Sequence, residues 1–345
     1  MHKATFLEGT IHMTIEPDGP ILIKAGESGG ADPTHPDMEF VRTRRGGVEQ
    51  VFIPGASLKG VIRAQAERIC RSLDSTDRQT AQLNRRRALG DQQPIPLADN
   101  PLGEGTRYGG LDDMQYSSGR AIEAMKLEGN DRTTIIYRRS AFVSQIFGHT
   151  SLAGRVRFAD AYAAGEIKIE ERNGVAIDRI YGAVAVGPFN YEVVVAGSFT
   201  TRIDCKNLTL AQLGLLGLAL RDLAEGRVGL GFGKSRGLGR VKVKFDTMKL
   251  YYPTCELDKD KNLVLLSGQA VAGARELAGL GALCRDAAYR GYDFPAPEQD
   301  RAPLPDEMSY EPDDLMGVRL QATGDAQVRA IWKVCMPAWK QEIGL

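Results

Sequence analysis

The sequence has no cysteine pair at metal-binding or redox spacing. Its five cysteines (Cys70, Cys205, Cys255, Cys284, Cys335) are scattered, with no CxxC and no Cys/His cluster. A zinc module and a disulfide framework are therefore unsupported, and the reduced cytoplasm is the expected setting. There is no cationic leader followed by an apolar signal core, and no apolar run approaches the about 18 residues that a membrane span requires, so no membrane role is expected. Net charge is also missing: 44 Lys and Arg face 44 Asp and Glu, which argues against a general nucleic-acid binder. A hydrophobic content of 43% in 345 residues is ordinary for a globular chain and predicts a sizeable core, in one large domain with insertions or in two smaller ones.

The charge that cancels overall is unevenly placed. Residues 42–87 carry 11 basic and 4 acidic side chains, whereas residues 293–314 carry 8 acidic and 1 basic. Segregation of this kind predicts one cationic and one anionic face, suited to polyanion binding and to head-to-tail self-association. For residues 293–314 the plainer alternative is a solvated acidic loop.

Residues 225–245, EGRVGLGFGKSRGLGRVKVKF, organise the rest. Gly229, Gly231, Gly233, Gly237 and Gly239 free the backbone for left-handed φ and for close approach to a ligand. Arg227, Lys234, Arg236, Arg240, Lys242 and Lys244 add charge, with no acidic residue between the first and the last. Such a loop predicts a phosphate-rich ligand. It is not a Walker A loop, because Val228 occupies the place of the first glycine and RVKVKF alternates like a strand rather than opening a helix. It is not a dinucleotide fingerprint either, since Lys234 and Arg236 stand at the third-glycine positions of the two possible registers. The alternative is a glycine-rich hairpin that merely turns.

Before this loop, residues 4–16 alternate as a half-buried strand with Ile11, Met13 and Ile15 on one face. Residues 21–24 form a second short strand, and 26–37 a loop ending at His35 and Asp37, a pair that reads either as a solvated turn or as a catalytic couple. Residues 51–53 end a strand, Pro54-Gly55 turn, and a helix follows with Ser57 as N-cap and Leu58, Ile62, Ala66, Ile69 and Leu73 as its buried stripe. Its N-terminus, with Ser57 and Lys59, is a candidate anion site. Residues 74–139 read as a partly helical insertion over the core. A short helix ending at Gly148, a strand with Val156 and Phe158 inward, and a protruding hairpin broken by Gly174, Gly182 and Gly187 come next. Phe189, Tyr191, Val193 and Val195 form a strand. The helix after it opens on a Thr209/Gln212 capping box, buries Leu213, Leu216, Leu220 and Leu223, and stops at Gly226. Strand, helix, glycine loop and strand make a βαβ unit, and the chain as a whole predicts an α+β fold with a split βαβ, ferredoxin-like (RRM-like) core. Residues 294–312 read as an extended Pro-rich loop.

Four blocks in order, IPGASLKGVIR (53–63), FGHTSLAGRVRFADA (147–161), VAIDRIYGAVAVGPFNYEVV (175–194) and GLGFGKSRGLGRVKV (229–243), resemble the RAMP superfamily of CRISPR effector subunits. Within it the chain is most similar to the repeated backbone subunit of type III and type IV complexes, and TIEPDGPILIKAGESGGADP (14–33) looks closest to type IV. The resemblance implies a right hand: a ferredoxin-like palm (residues 1–246) with a finger insertion (74–140) and a thumb hairpin (173–189), and residues 247–345 as a C-terminal extension partly packed on it. It also implies copies stacked in a filament along a CRISPR RNA, with target nucleic acid and other effector subunits as further partners.

The residues expected at the RNA are Arg42, Arg44, Ser57, Lys59, Arg63, Gly231, Gly233, Lys234, Ser235, Arg236 and Gly237, with Arg179 and Tyr181 on the thumb stacking on bases. Asp37 matches the position where type III backbone subunits cleave target RNA with a metal. Here Met38-Glu39 replaces the family's small residue and proline, and no second acid or base lies close by in sequence, so a binding scaffold without cofactor is expected, with a Mg²⁺-dependent endoribonuclease as the other reading. An enzyme acting on a small phosphorylated molecule is the alternative from outside the family.

Overall fold

The computed structural model describes residues 4–26, 36–129 and 132–345. His35, most of the loop 26–37 and the Val186 side chain lie outside the described residues. The fold is mixed α+β and built on one nine-stranded antiparallel sheet. Its first strand, β1 (Glu8–Pro17), buries Ile11, Met13 and Ile15 as the alternation predicts, and Thr10, His12 and Thr14 look outward.

The hairpin β2 (Arg42–Arg45) and β3 (Val48–Ile53) turns on Gly46 and Gly47, both at positive φ, and leads through Pro54 into α1 (Gly55–Leu73). The N-cap of α1 is Pro54. Ser57 is inside the first turn, where its N–H already donates to the Pro54 carbonyl. The buried stripe is Leu58, Ile62, Ala66 and Cys70, a strict i, i+4 row, and it leaves Leu73 exposed.

The insertion holds α2 (Thr76–Arg86), α3 (Ser118–Ala124) and α4 (Arg132–Arg138), and α5 (Phe142–Phe147) then ends on Gly148 as expected. The predicted strand at 154–163 is two pieces, β4 (Val156–Phe158) and β5 (Ala161–Ala163). From β5 the chain leaves the sheet as a separate two-stranded hairpin, β6 (Lys168–Ile177) with β7 (Val184–Ala196), and re-enters as β8 (Phe199–Lys206). Residues 189–195 are thus the returning arm of the hairpin. The sheet strand is β8, which buries Phe199, Thr201, Ile203 and Cys205 in alternation.

Helix α6 (Leu210–Ala224) carries the complete capping box of Thr209 and Gln212. Strand β9 (Val241–Tyr252) follows the glycine loop. Both β8 and β9 pair antiparallel with β1, so the β8–α6–β9 unit is parallel and split by β1, and the central order is β9-β1-β8-β4.

The C-terminal hundred residues belong to the same core. The expected boundary at 246/247 falls inside β9. A small sheet of β10 (Cys255–Leu257), β11 (Leu263–Leu265) and β12 (Ala270–Ala272) follows, then β13 (Glu276–Ala278), α7 (Leu280–Leu283) and β14 (Arg301–Pro303), which pairs with β13. Residues 294–312 therefore contain short elements rather than one extended loop, including β15 (Tyr310–Pro312). Strand β16 (Val318–Thr323) pairs with β9, and α8 (Asp325–Glu342) lies against α6. That contact needs Gly217, where a Cβ would strike the Trp332 ring, and Trp332 in turn meets Phe245 edge to face at 4.7 Å. Being packed by α8 as well as by the sheet, α6 is buried nearly all round, well beyond its predicted leucine stripe.

Candidate nucleic-acid interface

The glycine loop docks on the segment that follows β1. Phe232 N–H donates to the Leu22 carbonyl at 2.7 Å, Gly239 N–H to the Pro20 carbonyl at 2.9 Å, and Leu230 N–H to the Gly239 carbonyl at 2.7 Å. Gly231 and Gly239 have positive φ, and a side chain there would collide with the Leu22 and Leu230 carbonyls respectively. These two glycines serve close approach of the loop to its own protein rather than to a ligand. Gly233 faces Leu238, and only Gly237, also at positive φ, opens on free space. Exposed are Phe232 and the run Lys234, Ser235, Arg236 and Gly237, which contains a single turn of 3₁₀ helix at Lys234–Arg236.

The other side of the same segment carries the hairpin. Ile21 exchanges backbone hydrogen bonds with Val194, both at 2.9 Å. Residues 20–24 thus carry hydrogen bonds both to the glycine loop and to the base of the hairpin. Asp37 is at this base: its carboxylate accepts the Asn190 N–H at 2.8 Å, and Met38 continues the pairing with N–H to the Asn190 carbonyl. No group of three His, Cys, Asp or Glu side chains able to hold a metal ion forms among the described residues, and so Asp37 has no such companions there.

Several predicted cations are occupied by the fold. Arg42 makes a bidentate pair with Glu192, both bonds 2.8 Å, which holds its guanidinium pKa above the usual value. Arg63 donates to Glu67, to the Gly148 carbonyl and to Ser144 Oγ. The first amide of α1, on Gly55, donates to Asp160, so this helix N-terminus holds an anion of its own. In the glycine-loop region Arg227 pairs with Asp222 and Glu225, and Arg240 and Lys242 share Asp18. Three of the six loop cations that have no acidic neighbour in sequence are thus opposed in space. The predicted separation of charged faces is weakened the same way, because Asp293 of the acidic stretch clamps Arg85 and Arg86 of the basic one and Asp300 is wholly buried.

What is left is a smaller basic set. Lys59, Lys234, Arg236 and Arg44 make no ion pair among the described residues. Burial, and then the neighbouring charge of Arg63, lowers the Lys59 pKa; burial, and then Arg68, lowers that of Lys234. Each of these ammonium groups has another cation in its surroundings, a placement that an arriving anion relieves. Lys234 feels the charge of Arg68 on α1, whereas Lys59 and Arg63 project from another side of that helix, so the structure does not gather all the predicted residues into one patch. On the hairpin, Arg179 is exposed and Tyr181 is 83% exposed at the tip, where Asp178 Oδ1 accepts the Ile180 and Tyr181 N–H groups.

Sequence reasoning missed Phe232, an exposed ring between two positive-φ glycines; its signal was an aromatic residue inside a loop otherwise made of glycine and charge. Elsewhere, a Ser140–His149 contact of 2.8 Å lacks the chemistry of a nucleophile. His149 Nδ1 accepts the Ser151 N–H, so Nε2 carries the proton and donates to Ser140 Oγ, whose own hydrogen goes to the Ile136 carbonyl. Two concavities, of about 320 Å³ beside α2 and α8 and about 450 Å³ over the outer face of β1 and β8, are both away from the glycine loop.

No helix among the described residues is long and apolar enough to cross a membrane. Comparison with curated proteins finds no match. The family description "RAMP superfamily" matches residues 14–242, the span that runs from β1 through α1, the hairpin and α6 to the end of the glycine loop, and the chain belongs to that superfamily.

Proposed function

We propose that the protein is the backbone subunit of a type IV, or type III-like, CRISPR effector complex, binding single-stranded guide RNA and multiplying along it. Membership of the RAMP superfamily supports a CRISPR-associated, RNA-binding role. In this reading the central sheet with α1 and α6 is a ferredoxin-like palm, residues 74–140 are the finger and the hairpin Lys168–Ala196 is the thumb, somewhat longer than the 173–189 expected from sequence. The exposed turn Lys234–Arg236 receives phosphates beside the thumb base, and Arg179 and Tyr181 reach a displaced base. Type IV is favoured by the resemblance of residues 14–33. Asp37 acts in this reading as the fastener of the thumb base, through its bond to Asn190, and the subunit is a scaffold rather than a nuclease.

The observation that carries the proposal is the exposed turn Lys234–Arg236, held between Gly233 and Gly237 at positive φ, whose two cations make no ion pair among the described residues. The test is RNA affinity as a function of salt. Each phosphate neutralised adds about −0.7 to the slope of log affinity against log salt, so Lys234→Glu with Arg236→Glu should weaken binding and flatten the slope by one to two such increments. Affinity independent of salt, or saturable binding of free nucleotides without RNA binding, overturns it.

A further inference from the structure

We infer that Phe232 is a nucleobase platform, taking the face of one unpaired base of the bound RNA whatever its identity; the inference rests on the RNA-binding reading above. The loop sends its three large apolar side chains in opposite directions. Leu230 and Leu238 are buried in the core, whereas Phe232 is 40% exposed and is paired with no other ring and no cation among the described residues. An exposed phenyl ring between buried leucines is not needed to hold the loop down.

The backbone that carries the ring is nevertheless held. The Phe232 N–H is bonded to the Leu22 carbonyl, Gly231 at φ +86° is pressed on that same carbonyl, and Gly233 at φ +70° is closed on Leu238. Glycines closed on both sides thus hold the backbone that carries the ring in place, so little backbone freedom is lost when a base stacks on it.

The next exposed residues are Lys234, Ser235 and Arg236, which places two cations and a hydroxyl two to four residues from the ring. Phosphate contact beside an aromatic face is the combination that holds a single strand without reading its sequence. Phenylalanine, having no hydroxyl, offers a base edge nothing to hydrogen-bond, which suits a subunit that must accept any guide sequence.

The experiment compares the full-length protein and three variants on two strands of equal length, oligouridine RNA and an abasic ribose-phosphate polymer. Phe232→Ala and Phe232→Leu should each bind oligouridine about tenfold more weakly than wild type, with the same salt slope. On the abasic polymer the same variants should match wild type, and Phe232→Tyr should match it on both. Equal losses on the two strands would mean that the ring only supports the loop and would overturn the inference, as would no loss on either. Wild type that bound neither strand would overturn the RNA-binding reading itself, whereas wild type equal on both strands, with unchanged Phe232→Ala, would remove only the platform.

Discussion

A charge in this molecule has a function only after its partner is known. Arg42 and Lys234 are equally basic in the sequence, yet Arg42 is locked to Glu192, 150 residues away, and Lys234 has no acid to bind among the described residues. Local reading ranks such residues by composition, and distant pairing is invisible to it; this is why the pairing of Arg42 with Glu192 and of Arg240 and Lys242 with Asp18 was not legible. Asp300 shows the same from the acidic side. Counted as part of a solvated acidic stretch, it is buried and accepts the Leu210 N–H at 2.7 Å and the Gly281 N–H at 2.6 Å, anchoring the starts of α6 and α7. Burial pushes its pKa up to about 6, against the lowering effect of those two bonds. Since the folded pKa is above the unfolded one, its contribution to stability is fully present below about pH 4 and is lost as pH rises through about 6, a change of about 3 kcal/mol. The melting-temperature difference between wild type and Asp300→Asn should therefore change across pH 4–6 and be flat above it. Asp300→Ala, which strands two buried amides, should destabilise by about 2–5 kcal/mol at neutral pH in denaturant titration.

Elements with strong local grammar were readable. The Thr209/Gln212 box with its glycine stop gave α6, the alternation of residues 11–15 gave β1, and Gly148 closed α5. Elements defined by what lies opposite them were not. Strand β8 has clean alternation of its own, but the residues 189–195 read as the strand before α6 are the returning arm of the hairpin, and Ser57 is no cap because the helix already starts at Gly55 and the Ser57 N–H donates to the Pro54 carbonyl. The β6–β7 hairpin was legible as a protrusion because its apolar residues have no sheet to rest on: Val175, Ile177, Ile180 and Val184 are all exposed. We expect that replacing it by a tight turn between Arg172 and Asn190 spares the fold, moving the melting temperature little, since it forms a sheet of its own. RNA should still bind, and regular assemblies on a long guide RNA should disappear in sedimentation and electron microscopy, because an apolar patch of this kind is a contact surface. Regular assemblies of the shortened protein would exclude the hairpin as the link between copies.

At the scale of the molecule, the C-terminal third completes the core that the first two thirds begin. The superfamily match ends at residue 242, just inside β9, and the sequence offers no punctuation there. The structure carries β9 on to Tyr252, adds β16 to its free edge along six register pairs, and closes α6 with α8. Helix α8 buries Val328, Ile331, Trp332, Cys335 and Trp339. At about 1.5–3 kcal/mol for each large apolar side chain taken from water, these residues alone contribute on the order of 10 kcal/mol, comparable to the whole stability of an ordinary domain. Gly214 and Gly217 point the same way, since their lack of side chains leaves room for Met336 and Trp332. A chain ending at Asp246 would expose the α6 face, the Phe245 ring and the edge of β9 together, and should be recovered insoluble or without a cooperative thermal transition. Gly217→Val, which keeps the whole chain but drives a side chain into Trp332, should retain the fold and lose about 1–3 kcal/mol in denaturant titration. A soluble residue 1–246 fragment with a cooperative melt would show instead that the C-terminal third is an appendage, and its RNA affinity would then measure what the superfamily core does by itself.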